Sequence, residues 1–186
     1  MLSYKCLKKQ KVEYGDYSIM PIQEDNIELI RQWRNQQIEV LRQEFNISKD
    51  QQEKYFSEKI WPQLDLKDPI DILMGLYFKD SFIGYGGLVH IAWQHKRAEV
   101  SFLLETKRMS TFEIYEKDFK SYLELIKLIA TDQLSLNRLY TETYSFRERH
   151  IDILESSGFS KEGVMKEHII LDGVLIDSVI HGFLSK

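Results

Sequence analysis

Apolar positions along this chain recur at two different periods, and each predicts its own kind of element. From Phe112 through Tyr115, Phe119, Tyr122 and Ile126 to Ile129 the spacing alternates between three and four residues. That is the helical period, and it puts one buried stripe on a long amphipathic helix. Ile27, Ile30, Trp33 and Ile38 predict an earlier helix, with Glu24 or Asp25 as its cap. Ser48-Lys49-Asp50-Gln51 has capping-box spacing and predicts a second helix from about Lys49 to Ile60. Pro62 and Pro69 mark the way out.

Other stretches read as strands: Tyr17 to Ile22, Ile70 to Phe78, Ser81 to Trp93 after the Lys79-Asp80 turn, and Lys96 to Glu105 after Gln94-His95. The middle strands are apolar on both faces, so the sheet needs helices on each side. Alternation from Leu139 to Tyr144 gives one more strand, running into a helix over Arg147 to Ser157 that stops at Gly158-Phe159. Two last strands turn at Asp172-Gly173. Residues 1 to 16 are polar and irregular, a loose arm or a short edge strand. No linker or repeat divides the chain, so residues 1–186 read as one α/β domain.

Composition narrows the function classes. Hydrophobic content of 43% and charged content of 29% suit a soluble globular protein. A net charge of −4 supplies no basic footprint for nucleic acid. The single cysteine, Cys6, forms no internal disulfide framework and fits a reducing, cytoplasmic compartment. No apolar run has the length of a membrane span. The five histidines lack metal-site spacing, and Gly84-Tyr85-Gly86-Gly87 does not lead into a helix as a dinucleotide fingerprint must.

Three groups of side chains have acid–base capacity. Glu99 shares a strand face with Ser101, Leu103 and Glu105, and apolar walls at Val89 and Ile91 suit a proton-accepting carboxylate. Its other reading is a structural ion pair with Arg97, Lys96 or another basic neighbour. Glu142 and Tyr144 share a face with Tyr140. His90 shares its face with Gly84, Gly86 and Leu88, where glycines leave room.

The last fifty residues, LNRLYTETYSFRERHIDILESSGFSKEGVMKEHIILDGVLIDSVIHGFLSK, have a strand–helix–Gly-Phe–hairpin order. This order resembles the C-terminal half of the GNAT superfamily of acyl-CoA-dependent N-acetyltransferases, and the resemblance extends from about Tyr17 to Leu184. It implies a GNAT fold: a mixed, mostly antiparallel sheet of six to seven strands with helices on both faces. It also implies acetyl-CoA as donor, no metal, and a small-molecule amine as acceptor, in a protein that forms a homodimer. Arg97-Ala98-Glu99-Val100 looks like the family's fourth strand, which makes Glu99 the general base. Tyr144 is then the acid, Glu142 helps to hold the amine, and His90 is an alternative base or a donor to the substrate. Phe102, Leu103 and Leu104 supply backbone to the donor.

The usual tyrosine acid aligns with Leu154, the usual asparagine with Arg147, and a small-residue slot with His150. The family's glycine-rich pyrophosphate loop is replaced by Thr106-Lys107-Arg108-Met109-Ser110-Thr111, leaving Lys107 and Arg108 as phosphate candidates. Trp33-Arg34-Asn35 and the hairpin residues Glu167 and His168 resemble the branch that acetylates ribosomal proteins and nucleotide-linked amino sugars. They imply an acceptor site, with Arg34 taking a phosphate or carboxylate. An amino sugar is the expected acceptor; a protein N-terminus and a non-catalytic binding module are the rivals.

Overall fold

The computed structural model describes residues 1–185. Eight strands form one sheet: β1 (Val12–Tyr14), β2 (Tyr17–Pro21), β3 (Ile72–Phe78), β4 (Ser81–Ala92), β5 (Arg97–Leu104), β6 (Arg138–Tyr144), β7 (Ser160–Leu171) and β8 (Val174–Leu184), ordered β1-β2-β3-β4-β5-β6-β8-β7. Every pairing is antiparallel except β5 with β6. The helices are α1 (Ile27–Asn35), α2 (Lys49–Tyr55), α3 (Phe112–Leu128) and α4 (Glu148–Ser156). This is the GNAT arrangement, with one or two strands more than the pattern predicts.

The extra strand is the short edge strand β1, the second of the two readings of the N-terminal arm, and the arm is docked rather than loose. Tyr4 is fully buried, its hydroxyl accepts from the Leu73 N–H at 2.9 Å, and Lys5 N–H donates to Leu64 O at 2.7 Å. A buried aromatic with its polar end satisfied holds a polar segment that has no period of its own. Neither Glu24 nor Asp25 caps α1: a short helical turn, Glu24–Asn26, leads into it, and Asn26 closes that turn by accepting from the Gln23 N–H at 3.1 Å. Ile38 falls outside α1, in a separate turn. The Ser48 capping box forms as expected, and α2 runs on through a π turn to Ile60.

Two cores sandwich the sheet. Tyr115, Phe119, Tyr122 and Ile126 of α3 pack on one face with Ile72, Leu88, Val100 and Leu104. Ile30, Trp33, Phe56 and Ile60 pack on the other with Leu73, Tyr85 and Leu103. At Gly86 a side chain would meet Ser101 O at 2.1 Å and the Tyr122 hydroxyl at 2.5 Å. The room left by this glycine is therefore filled by α3, whose Tyr122 hydroxyl donates to Ser101 O at 2.6 Å.

Candidate active site

The parallel pairing of β5 with β6 lasts only three residues, Arg97–Arg138, Ala98–Leu139 and Glu99–Tyr140. Beyond Glu99 the strands part, and among the described residues no strand pairs with that edge of β5 as far as Leu104. A cleft of about 260 Å³ opens there, lined by Glu99, Ser101, Phe102, Thr141, Glu142 and Tyr144 among others. Its floor is a ring stack: Phe102 on Phe119 at 4.6 Å, and Phe119 on His150 at 4.2 Å. Van der Waals contact between rings stands in for the missing ladder.

Strand parity brings Glu99 and Glu142 to the same side of the parted strands, both largely shielded from water. A single guanidinium bridges them: Arg42 Nη2 donates to Glu99 Oε1 at 3.1 Å and to Glu142 Oε2 at 2.6 Å. Glu99 is thus ion-paired with another basic residue, Arg42, and not with Arg97 or Lys96. Its wall is Val89, directly opposite in register, while Ile91 belongs to the other core. His90 lies 2.9 Å from Glu99 Oε2 through Nδ1. It does so because the β4–β5 register slips after Val89 and His90 takes a left-handed φ of 52°. The bulge turns His90 away from the Leu88 face that simple alternation assigns to it. His168 Nε2 approaches Glu142 Oε1 to 3.6 Å, so the β7–β8 hairpin reaches this site, whereas Glu167 is exposed and its N–H donates to Asp177 Oδ1 at 2.9 Å.

Tyr144 lines the same cleft. Burial raises its phenol above the ordinary value, an effect that Arg42 opposes and Glu142 reinforces, so it is a protonated donor at neutral pH. Leu154 is fully buried in the core and carries no proton. His150 is buried, and desolvation, with Arg147 and His181 adding to it, holds its imidazole well below the ordinary value of 6.5. Being neutral, it accepts the Tyr115 hydroxyl at Nδ1, 2.6 Å away.

The phosphate candidates separate. Arg108 points back into the fold, donating to Asp118 from Nε at 2.6 Å and from Nη2 at 3.0 Å beneath the Phe78 ring. Asp118 is buried and also accepts from Tyr17. Lys107 is exposed and pairs with Glu105. A groove of about 370 Å³ lies instead between the N-termini of α3 and α4, with Phe112, Arg147 and Arg149 in its lining. Arg149, packed over the Phe112 ring at 4.8 Å, is a cation the sequence reading missed, although its place in the first turn of α4 was visible. Gln37, also missed, is buried; its amide donates to Leu104 O on the open edge of β5 at 2.9 Å, while its Oε1 has no partner among the described residues.

On the α1–α2 side the cleft joins a chamber of about 590 Å³. Trp33 does not line it but stacks on Phe82 at 5.0 Å. Arg34 does line it, donating from Nε to Gln43 at 3.0 Å and from Nη1 to the Tyr85 hydroxyl at 2.9 Å. Asn35 faces the loop instead, where its amide holds both the N–H and the C=O of Ile47.

A sheet parted over a shielded carboxylate, with rings beneath and helix N-termini at one end, defines an acyltransferase of the GNAT class. Residues 19–180 match the family described as the acetyltransferase (GNAT) domain, and the chain belongs to that family. It is an acetyl-CoA-dependent N-acetyltransferase. No curated protein matches it. Among solved structures it is similar to spermidine N-acetyltransferase from Vibrio cholerae in complex with CoA and spermine. That match has 16% identity and a TM-score of 0.78, covering 92% of this chain and 96% of that one. A dodecameric form of the V. cholerae enzyme matches at 16% identity and TM-score 0.74, covering 92% and 95%. A protein described as a probable acetyltransferase matches at 20% identity and TM-score 0.73, covering 94% and 97%. Among the described residues no helix is long and apolar enough to cross a membrane, and no cluster suited to a metal ion occurs.

Proposed function

We propose that this acetyltransferase acts on the primary amine of a small molecule, with Glu99 as general base and Tyr144 as general acid. The observation that carries this reading is the Glu99–Glu142 pair at the point where β5 and β6 part, already holding a cation where an acceptor's ammonium would sit. Acetyl-CoA supplies the thioester. The ammonium gives one proton to Glu99, and the neutral nitrogen bonds to the acyl carbon. The C–S bond breaks, Tyr144 protonates the departing sulfur, and the second proton of the nitrogen returns to the Tyr144 phenolate. Glu142 and His90 hold the amine and the base in position. The backbone of Phe102 and the Leu104 N–H face the donor on the open edge of β5, whereas the backbone of Leu103 turns to β4. Arg147 and Arg149 take the phosphates at the paired helix N-termini.

The chamber's apolar lining speaks against the nucleotide-linked amino sugar expected from the hairpin, whose phosphates need cations there. The spermine bound by the V. cholerae relative has several positive charges, whereas this chamber has one carboxylate, the exposed Glu44, in its lining. A protein N-terminus would need an open groove across the same roofed chamber. A non-catalytic module has no use for a shielded carboxylate beside a protonated phenol. A cytoplasmic location follows from the donor. A homodimer through the exposed hairpin residues Ile170, Val174 and Leu175 is part of the proposal, to be read by light scattering.

The test is Glu99→Gln assayed by thiol release from acetyl-CoA with a panel of primary amines. Turnover is expected to fall by roughly 10²- to 10⁴-fold while titration shows acetyl-CoA still binding. Unchanged turnover would remove Glu99 from the reaction.

A further inference from the structure

Arg34 stands where the chamber and the transfer cleft meet; Leu41, Val89, Ser101 and Phe102 also line both spaces. Gln43 and Tyr85 fix its guanidinium through Nε and Nη1, and Nη2 has no partner among the described residues. Beyond it Ile30, Leu41, Ile47, Phe56 and Leu73 form an apolar wall, while Glu44, Asn46, Gln51 and Gln52 supply a polar part of the lining. A guanidinium held rigid with an unfilled donor beside apolar surface is a ready site for one planar anion. Among the described residues Arg34 is the one cation in the lining of the chamber, so a phosphate held on the chamber side would bring up to two charges to it and the second would go unmatched. A carboxylate brings one.

We infer that the acceptor is an α-amino acid with an apolar or aromatic side chain. This rests on the transfer reading of the same site. The carboxylate pairs with Arg34, the side chain fills the chamber, and the α-amine enters the cleft toward Glu99. The shared position of Arg34 sets the α relationship: an amine far from its anion would leave one of the two outside the junction. Arg34 is therefore a specificity-determining residue, and the balance of atoms is that of the transfer above.

The experiment compares L-phenylalanine and L-leucine with their amides, which keep the shape and the α-amine but lose the negative charge. Binding is measured by calorimetry in the presence of coenzyme A, at a pH low enough that every amine is protonated, and turnover by thiol release from acetyl-CoA. The acids are expected to bind roughly ten- to a hundred-fold tighter than the amides, with the difference lost in Arg34→Gln and partly kept in Arg34→Lys. Amides that bind as well as the acids, spermidine preferred over both, or a preference untouched by Arg34→Gln would overturn the inference while leaving N-acetyl transfer intact. Arg34-dependent binding of the acids without thiol release would instead sink the transfer reading and keep the binding site.

Discussion

Arg42 sets one positive charge against two carboxylates, and neither partner is near it in sequence, since Glu99 is 57 and Glu142 100 residues away. Its own side chain is about half exposed (52%), so the contacts are screened and each is worth little. An incoming ammonium can therefore displace it. Arg42→Ala is expected to lower KM for the amine by a few-fold, up to about five-fold, with little change in the donor's KM; steady-state kinetics varying each substrate in turn would show it. A raised KM for the amine would mean that Arg42 assists binding. The two carboxylates were legible because a strand shows its faces in alternate letters. Arg42 was not, because its segment has no period, and His90 was assigned to the wrong face because a bulge leaves no mark in the letters.

At the level of elements, α3 does more than cover the sheet. Its Asp118 collects Arg108 and the Tyr17 hydroxyl in a buried cluster that ties the turn before the helix to β2. Arg108→Ala would leave that carboxylate shielded with only a phenol as partner, a loss of about 3 kcal/mol readable by chemical denaturation. Lys107→Ala, at an exposed pair, should stay within about 0.5 kcal/mol. Equal small effects would mean that Asp118 is relieved by water. Two neighbouring basic residues look alike in sequence; only the helix opposite tells which turns inward. The helices themselves were readable throughout, because the α3 stripe and the Ser48 capping box are local signals.

For the molecule as a whole, the order of elements and the two-sided core followed from hydrophobic period, whereas the docked arm did not, since Tyr4 is one aromatic in a polar run. The buried His150 links the site to global stability. It is held neutral in the fold, so below the ordinary value of 6.5 the unfolded chain takes up a proton that the folded chain refuses. Its contribution is complete above that value and is lost as pH falls from there through the lowered folded value, at up to about 1.4 kcal/mol per pH unit. Denaturation at a series of pH values should show this slope in the native protein and a shallower one in His150→Phe. Identical slopes would mean that His150 titrates freely. The loop that carries Gln37, Arg42 and Gln43 begins and ends on one side chain: Asn35 holds Ile47 at 2.8 and 2.9 Å and also accepts from Gln43 at 3.0 Å. A loop latched at its base in this way is an interchangeable part, so a foreign segment spliced between Gln37 and Ile47 would redirect the choice of acceptor while Gln37 keeps its hold on the donor edge of β5.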